Sequence, residues 1–150
     1  MPWNVSHRTA AAVVFASILL VWRPAAQAQD AADILQIEAV PGGTVNVIQQ
    51  GWANRATIDQ RYLSEGALDA QNRAAQMQRG DNNAATILQE GSGNSAEIAQ
   101  NGSHNEGAIL QHNSGNTAEL QQNGNGLSIK IEQYGAAMPG SAPVTVTQSN

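Results

Sequence analysis

The residues whose types suit acid–base or metal chemistry are His104, His112 and a set of acids: Asp59, Asp81, Glu90, Glu97, Glu106, Glu119 and Glu132. A zinc site needs three or four converging ligands. Paired-carboxylate hydrolysis needs two acids facing one bond. The spacing serves neither. The histidines read as solvated residues of successive turns, with no acid placed to complete a set. The acids scatter between turns and outward strand positions, where they solvate the surface and restrain aggregation. The chain has no Cys, so disulfides, thiolate nucleophiles and Cys-ligated metals are excluded. No Ser/His/Asp constellation or phosphate-cradling loop is present. The sequence therefore assigns no catalytic, metal or cofactor residue and no small-molecule substrate, and an enzyme is not expected.

The remaining chemistry is that of side-chain amides. Gln recurs in steps of eleven at Gln49, Gln60 and Gln71, and again at Gln78, Gln89, Gln100, Gln111, Gln122 and Gln133. Around it runs Gln-x-Gly-x-x-Asn-x-Ala-x-x-x-Gln. Two residues before the Gln stands an aliphatic: Val47, Ile58, Ile87, Ile98, Ile109, Leu120 and Ile131. Small residue, aliphatic and Gln thus alternate, which places all three on one face of a strand. The intervening Gly51, Gly80, Gly91, Gly102, Gly124 and Gly135, with Asn54, Asn72, Asn83, Asn94, Asn105 and Asn116, are turn chemistry, because both types tolerate positive φ. An eleven-residue period also fits a right-handed coiled coil. One aliphatic per eleven residues cannot fill a helical seam, and a Gly in every unit costs a helix about 1 kcal/mol.

The pattern weakens at its margins. Between Gln71 and Gln78 the step falls to seven, with Asn72 and Ala74 in phase with Gln78. Ala32-x-Ile34-x-Gln36 upstream and Val144-x-Val146-x-Gln148 downstream carry the strand half alone. A single unit cannot bury its face. Pairs of units folded as strand–turn–strand and stacked at about 4.8 Å can do so. The expected fold is all-β: a β-solenoid of about five 22-residue coils in two facing parallel sheets. Gln above Gln, Gln148 included, and Asn above Asn would form amide ladders as in cross-β structures. The eight aliphatics, Val146 included, would fill the space between.

Composition agrees with such a core. Aromatics are 4% of the residues and charged residues 13%, too few for an aromatic core or a charge-solvated disordered chain. Seven basic residues against twelve acids speak against nucleic-acid binding. Arg8, the apolar run Ala10–Trp22 and Ala26-Gln27-Ala28 read as a secretory leader cleaved after Ala28. The expected division is a leader at 1–28, an N-terminal segment at 29–43, repeats at 44–133 that are irregular over 61–77, and a loop with a final strand at 134–150.

Leader, absence of Cys and repeat together resemble the curlin family, the subunits of bacterial curli amyloid fibres. The resemblance covers about residues 44–133. It implies export through dedicated outer-membrane machinery and polymerisation with self and sister curlin subunits. The product would be extracellular fibres of a biofilm matrix at the bacterial cell surface. Gln29–Val40 is not the Gly-rich segment with which a major subunit begins. Degenerate end units and Arg55, Arg61, Arg73, Arg79 and Lys130 within the repeats favour the minor, nucleating type.

Two other classes are weighed. A monomeric secreted solenoid that binds ice would need a Thr ladder, but the outward position reads Asn46, Thr57, Thr86, Glu97, Ala108, Glu119, Lys130. One that binds calcium would need regular turn Asp, and only Asp81 qualifies. A surface adhesin would need an attachment segment, and none is seen after residue 140.

Overall fold

The computed structural model describes residues 31–37, 43–61, 71–135 and 142–150. The expected leader, the irregular unit over 62–70 and most of the Pro-containing loop before the last strand lie outside them.

Ten strands occur among the described residues: β1 (Ala31–Ile37), β2 (Thr44–Gln50), β3 (Arg55–Arg61), β4 (Arg73–Arg79), β5 (Ala84–Glu90), β6 (Ser95–Asn101), β7 (Glu106–His112), β8 (Thr117–Asn123), β9 (Ser128–Tyr134) and β10 (Val144–Ser149). Odd strands form one parallel sheet in the order β1-β3-β5-β7-β9. Even strands form the other, β10-β8-β6-β4-β2. The chain crosses from one sheet to the other at every turn, as expected of a β-solenoid. Partners stack 22 residues apart through the middle of the molecule. The step lengthens to 29 where β2 and β3 meet β4 and β5, and to 26 between β8 and β10. The uniform 22-residue coil therefore holds for the central turns, and the outer ones carry extra residues between strands.

Strands β2 to β8 bury their second, fourth and sixth residues, and β9 buries its fourth. Strands of one coil run in opposite senses across the core, so the small second residue of one faces the Gln of the other. Gly107 shows how little room is left. A Cβ there would stand 3.0 Å from Leu120 Cδ2, 3.1 Å from Gln122 Oε1 and 3.2 Å from Gln100 Nε2. The small residue makes space for the amide, and the aliphatics meet in the centre. Ile58, Ile87, Ile98, Ile109 and Leu120 are fully buried there.

The turns stack as tightly as the strands. Gly80 N–H donates to Gln50 O, Gly102 N–H to Arg79 O and Gly124 N–H to Asn101 O, each at 2.9 Å. Gly80 is at φ +105°, and a Cβ on it would lie 2.1 Å from the carbonyl oxygen of Gly102 in the next coil. Glycine is thus required twice, for its dihedral and for the approach of the next backbone. The third turn residue is also left-handed: Ala53, Asn82, Gly93, His104, Gly115 and Gly126 have φ between 53° and 68°, or 77° at Gly115. The sequence pattern did not single out that position, although Gly93, Gly115, Gly126 and Asn82 signal it.

Gly80→Ala should lower the stability of the soluble chain by at least about 1–3 kcal/mol, whereas Glu97→Ala should stay within about 0.5 kcal/mol. Urea midpoints measure both, and equal effects would contradict the turn geometry.

Candidate functional site

The Gln side chains form two ladders, one inside each sheet. In the even sheet Gln49 Nε2 donates to Gln78 Oε1 (2.9 Å), Gln78 to Gln100 (3.0 Å), Gln100 to Gln122 (2.8 Å) and Gln122 to Gln148 (3.5 Å). In the odd sheet Gln60 donates to Gln89 (2.7 Å), Gln89 to Gln111 (2.9 Å) and Gln111 to Gln133 (2.8 Å). The second amide hydrogen reaches across the core to a backbone carbonyl: Gln78 to Arg55 O, Gln89 to Arg73 O, Gln100 to Ala84 O, Gln111 to Ser95 O and Gln122 to Glu106 O, at 2.9–3.0 Å. One amide therefore ties a coil to the next and one sheet to the other. Gln71 lies outside the strands and is exposed.

The Asn residues stack in register as expected, but only Asn83 Nδ2 to Asn54 Oδ1 (3.2 Å) is an amide-to-amide rung among the described residues. Their main partners are backbone groups of the following coil. Asn83 Nδ2 donates to Gly102 O (2.8 Å), while its Oδ1 accepts the N–H of Asn105 (3.0 Å). Asn54 and Asn105 repeat this with Gly80 and Asn83, and with Gly124 and Leu127. On the opposite edge Asn72 and Asn94 do the same with Gly91 and Asn94, and with Asn113 and Asn116. Asn116 Nδ2 instead turns back to His112 O (2.9 Å). Asn is short, so its amide reaches the turn backbone, whereas Gln reaches the neighbouring amide.

Of the aliphatic set, Val47, Ile58, Ile87, Ile98, Ile109, Leu120 and Ile131 are buried and Val146 is partly buried. In the even sheet that column runs Val47, Gln76, Ile98, Leu120, Val146. Gln76 was missed by the sequence reading, though it stands two residues before Gln78. It is 2% exposed. Its Nε2 donates to Thr57 O (3.0 Å), but its Oε1 has no partner among the described residues. Val47 and Ile98 on either side have no donor to offer.

His112 departs from its expected place in a turn. It is the last residue of β7, in an outward column with Arg61, Glu90 and Tyr134. Its Nδ1 lies 2.8 Å from Glu90 Oε2, and its ring stacks on Tyr134 with centroids 4.8 Å apart. Arg61 pairs with Asp59 (2.5 Å), whose hydrogen bond and charge raise the guanidinium pKa further. On β9, Lys130 hydrogen-bonds Glu132, raising its own pKa. Bonds from Lys130 and then Tyr134 hold Glu132 below the usual carboxylate range. In turn Glu132 pushes the Tyr134 hydroxyl up. No group of three or more metal-ligating side chains occurs among the described residues.

The solenoid ends on strands paired on one side only among the described residues: β1 and β2 at one end, β9 and β10 at the other. Register carries each column from end to end. In the even sheet Val45, Val47 and Gln49 share columns with Val144, Val146 and Gln148. In the odd sheet the positions of Ile34 and Gln36 share columns with Ile131 and Gln133. The ladders run one way, every Nε2 donating towards the β9–β10 end. Gln133 uses one amide hydrogen on Thr117 O (3.1 Å), and its other has no acceptor among the described residues.

Residues 72–102, from the Asn before β4 through β5 and β6, match the curlin associated repeat. This bears out the resemblance read from the Gln-x-Gly-x-x-Asn pattern. No curated protein matches the chain. Repeat and solenoid together support a curli-type structural subunit.

Replacing Gln76 by Leu should stabilise the soluble chain by about 1–3 kcal/mol, the cost of a buried acceptor without a donor. A urea midpoint that falls instead would mean that the Thr57 bond outweighs the missing one.

Proposed function

We propose that this chain is a subunit of extracellular curli-type fibres that polymerises by stacking strand edges, in the biofilm matrix and in surface adhesion. The observation that carries the reading is the match between the two ends. β9 and β10 carry, in the aliphatic and Gln columns, the residue types that the sequence places in the same columns of β1 and β2. A second copy laid on the β9–β10 end would meet Val with Val and Gln with Gln at the β spacing. It would continue both ladders in their one direction. Unprotected edges of this kind recruit further strands. A copy added at the β9–β10 end gives the Gln133 and Gln148 amides a further rung.

The chain travels by its leader to the cell surface and uses outer-membrane export machinery of the curlin type. Sister curlin subunits are its partners. Within the family it is assigned the minor, nucleating role. The irregular step before β4 and the arginines at the strand ends distinguish it from a uniform fibre former. The work is structural, so no substrate is turned over.

A thioflavin fluorescence time course on the purified chain from Gln29 onward, at micromolar concentration and neutral pH, should rise sigmoidally within hours. A flat trace from a folded monomer would overturn autonomous assembly and favour a solenoid binding module. Gln89→Ala with Gln122→Ala removes one amide from each ladder and strands its neighbours. Fibre growth should slow about tenfold or more, and unchanged kinetics would remove the ladders from the mechanism.

A further inference from the structure

One turn residue has a type that the stacking does not explain. At the second position of the turns between even and odd strands, each backbone N–H donates to a side-chain oxygen of the next coil. Trp52 N–H goes to Asp81 Oδ1 (3.0 Å), Ser103 N–H to Asn125 Oδ1 (2.7 Å) and Asn125 N–H to Asn150 Oδ1 (3.0 Å). Asp81, Asn125 and Asn150 are acceptors and fit this column. Trp52 cannot accept through its indole N–H, and it is 48% exposed.

Trp52 has charged company. The turn that carries it packs directly on the next one, with Asn82 N–H donating to Trp52 O (2.8 Å). Arg79, the last residue of β4, leads into that next turn, and Arg55, the first of β3, leaves the Trp52 turn. Both arginines are exposed. Neither guanidinium makes an ion pair or side-chain hydrogen bond among the described residues. The opposite edge of the same coil holds Arg61 and Arg73, but Arg61 is held by Asp59 and lies 3.8 Å from Glu90. Among the described residues the Trp52 edge therefore holds two unpaired guanidiniums, Arg55 and Arg79, against one, Arg73, on the opposite edge. Asp81, the acid of the next turn, already has one carboxylate oxygen on the Trp52 N–H.

We infer that Trp52, Arg55 and Arg79 form a docking edge for an acidic polysaccharide. A flat exposed indole suits the apolar face of a sugar ring, and two guanidiniums suit its carboxylates, which they bind in bidentate fashion. Duplex nucleic acid fits less well. Its charge density, about one per 1.7 Å, needs an extended basic track, and the coils beyond β4 carry Glu97, Glu106 and Glu119 instead. The docking edge exists on a single copy and does not need copies to stack.

The test uses the full chain, soluble, on beads bearing polygalacturonate, with neutral dextran beads beside them. Retention on polygalacturonate should exceed that on dextran about tenfold and fall with added salt. The Arg55→Gln/Arg79→Gln double variant should lose about tenfold, and Trp52→Ala several-fold. Arg73→Gln on the other edge should change retention less than about twofold. Arg55→Lys/Arg79→Lys keeps both charges and should retain part of the binding, which covers the case in which the Gln variant does not fold. Equal retention on dextran, or an equal loss from Arg73→Gln, would overturn the inference. So would displacement of the chain by duplex DNA at a lower charge concentration than free polygalacturonate. Fibre growth by thioflavin, run in parallel, should be the same for wild type and Trp52→Ala, which keeps this result separate from that of assembly.

Discussion

A buried amide is tolerable only if both its oxygen and its hydrogens find partners, and this one requirement organises the molecule. Each Gln in the core has polar atoms that no aliphatic neighbour can satisfy. The partner that always fits is another Gln in the same place one rung along. Once that is so, the spacing must be that of a β-sheet, the strands must be parallel and the register must be fixed. The small residue opposite each amide, the left-handed turn and the glycine that admits the next carbonyl all follow from keeping the rungs in step. Gln76 shows the rule by breaking it: an amide with Val47 and Ile98 as neighbours has an oxygen with nothing to receive.

The requirement also explains why a chain with so few aromatics folds at all. Stabilisation is spread over repeated small contributions, and no single side chain dominates. Ile and Leu at the centre of each coil exclude water, which strengthens the amide bonds around them. The Asn residues seal the corners by bonding to turn backbone, where an uncapped edge would leave peptide groups exposed. Strand, corner and core thus use the same translation, and a residue out of phase in one is out of phase in all three.

Much of this was legible in the sequence because a period is visible without a structure. The spacing of two between Ile87 and Gln89, and of eleven between Gln89 and Gln100, is enough to give strand, face and stack. What a period does not show is reach. Asn94 and Gln89 carry the same amide, but one methylene decides whether it meets the turn backbone or its own kind. A periodic pattern also hides exceptions. Gln76 occupies the aliphatic column two residues before Gln78, a place the period assigns to Ile or Val. His112 was read as a turn residue because it follows Gln111, although the strand runs one residue further and places the ring between Glu90 and Tyr134. The long steps before β4 and after β9 fall between strands, and the register on either side is kept.

The one-way run of the Gln ladders has a consequence for how such columns lie side by side. Every donating Gln of the two ladders points one N–H along the same axis, so their dipoles add coil by coil. The peptide dipoles of the strands also lie along that axis, but they alternate in sense from residue to residue and nearly cancel. The column is electrically polar, with a moment that grows with its length. Two neighbouring columns lower their energy by lying antiparallel, so a bundle built from them should carry equal numbers of each sense and no net polarity.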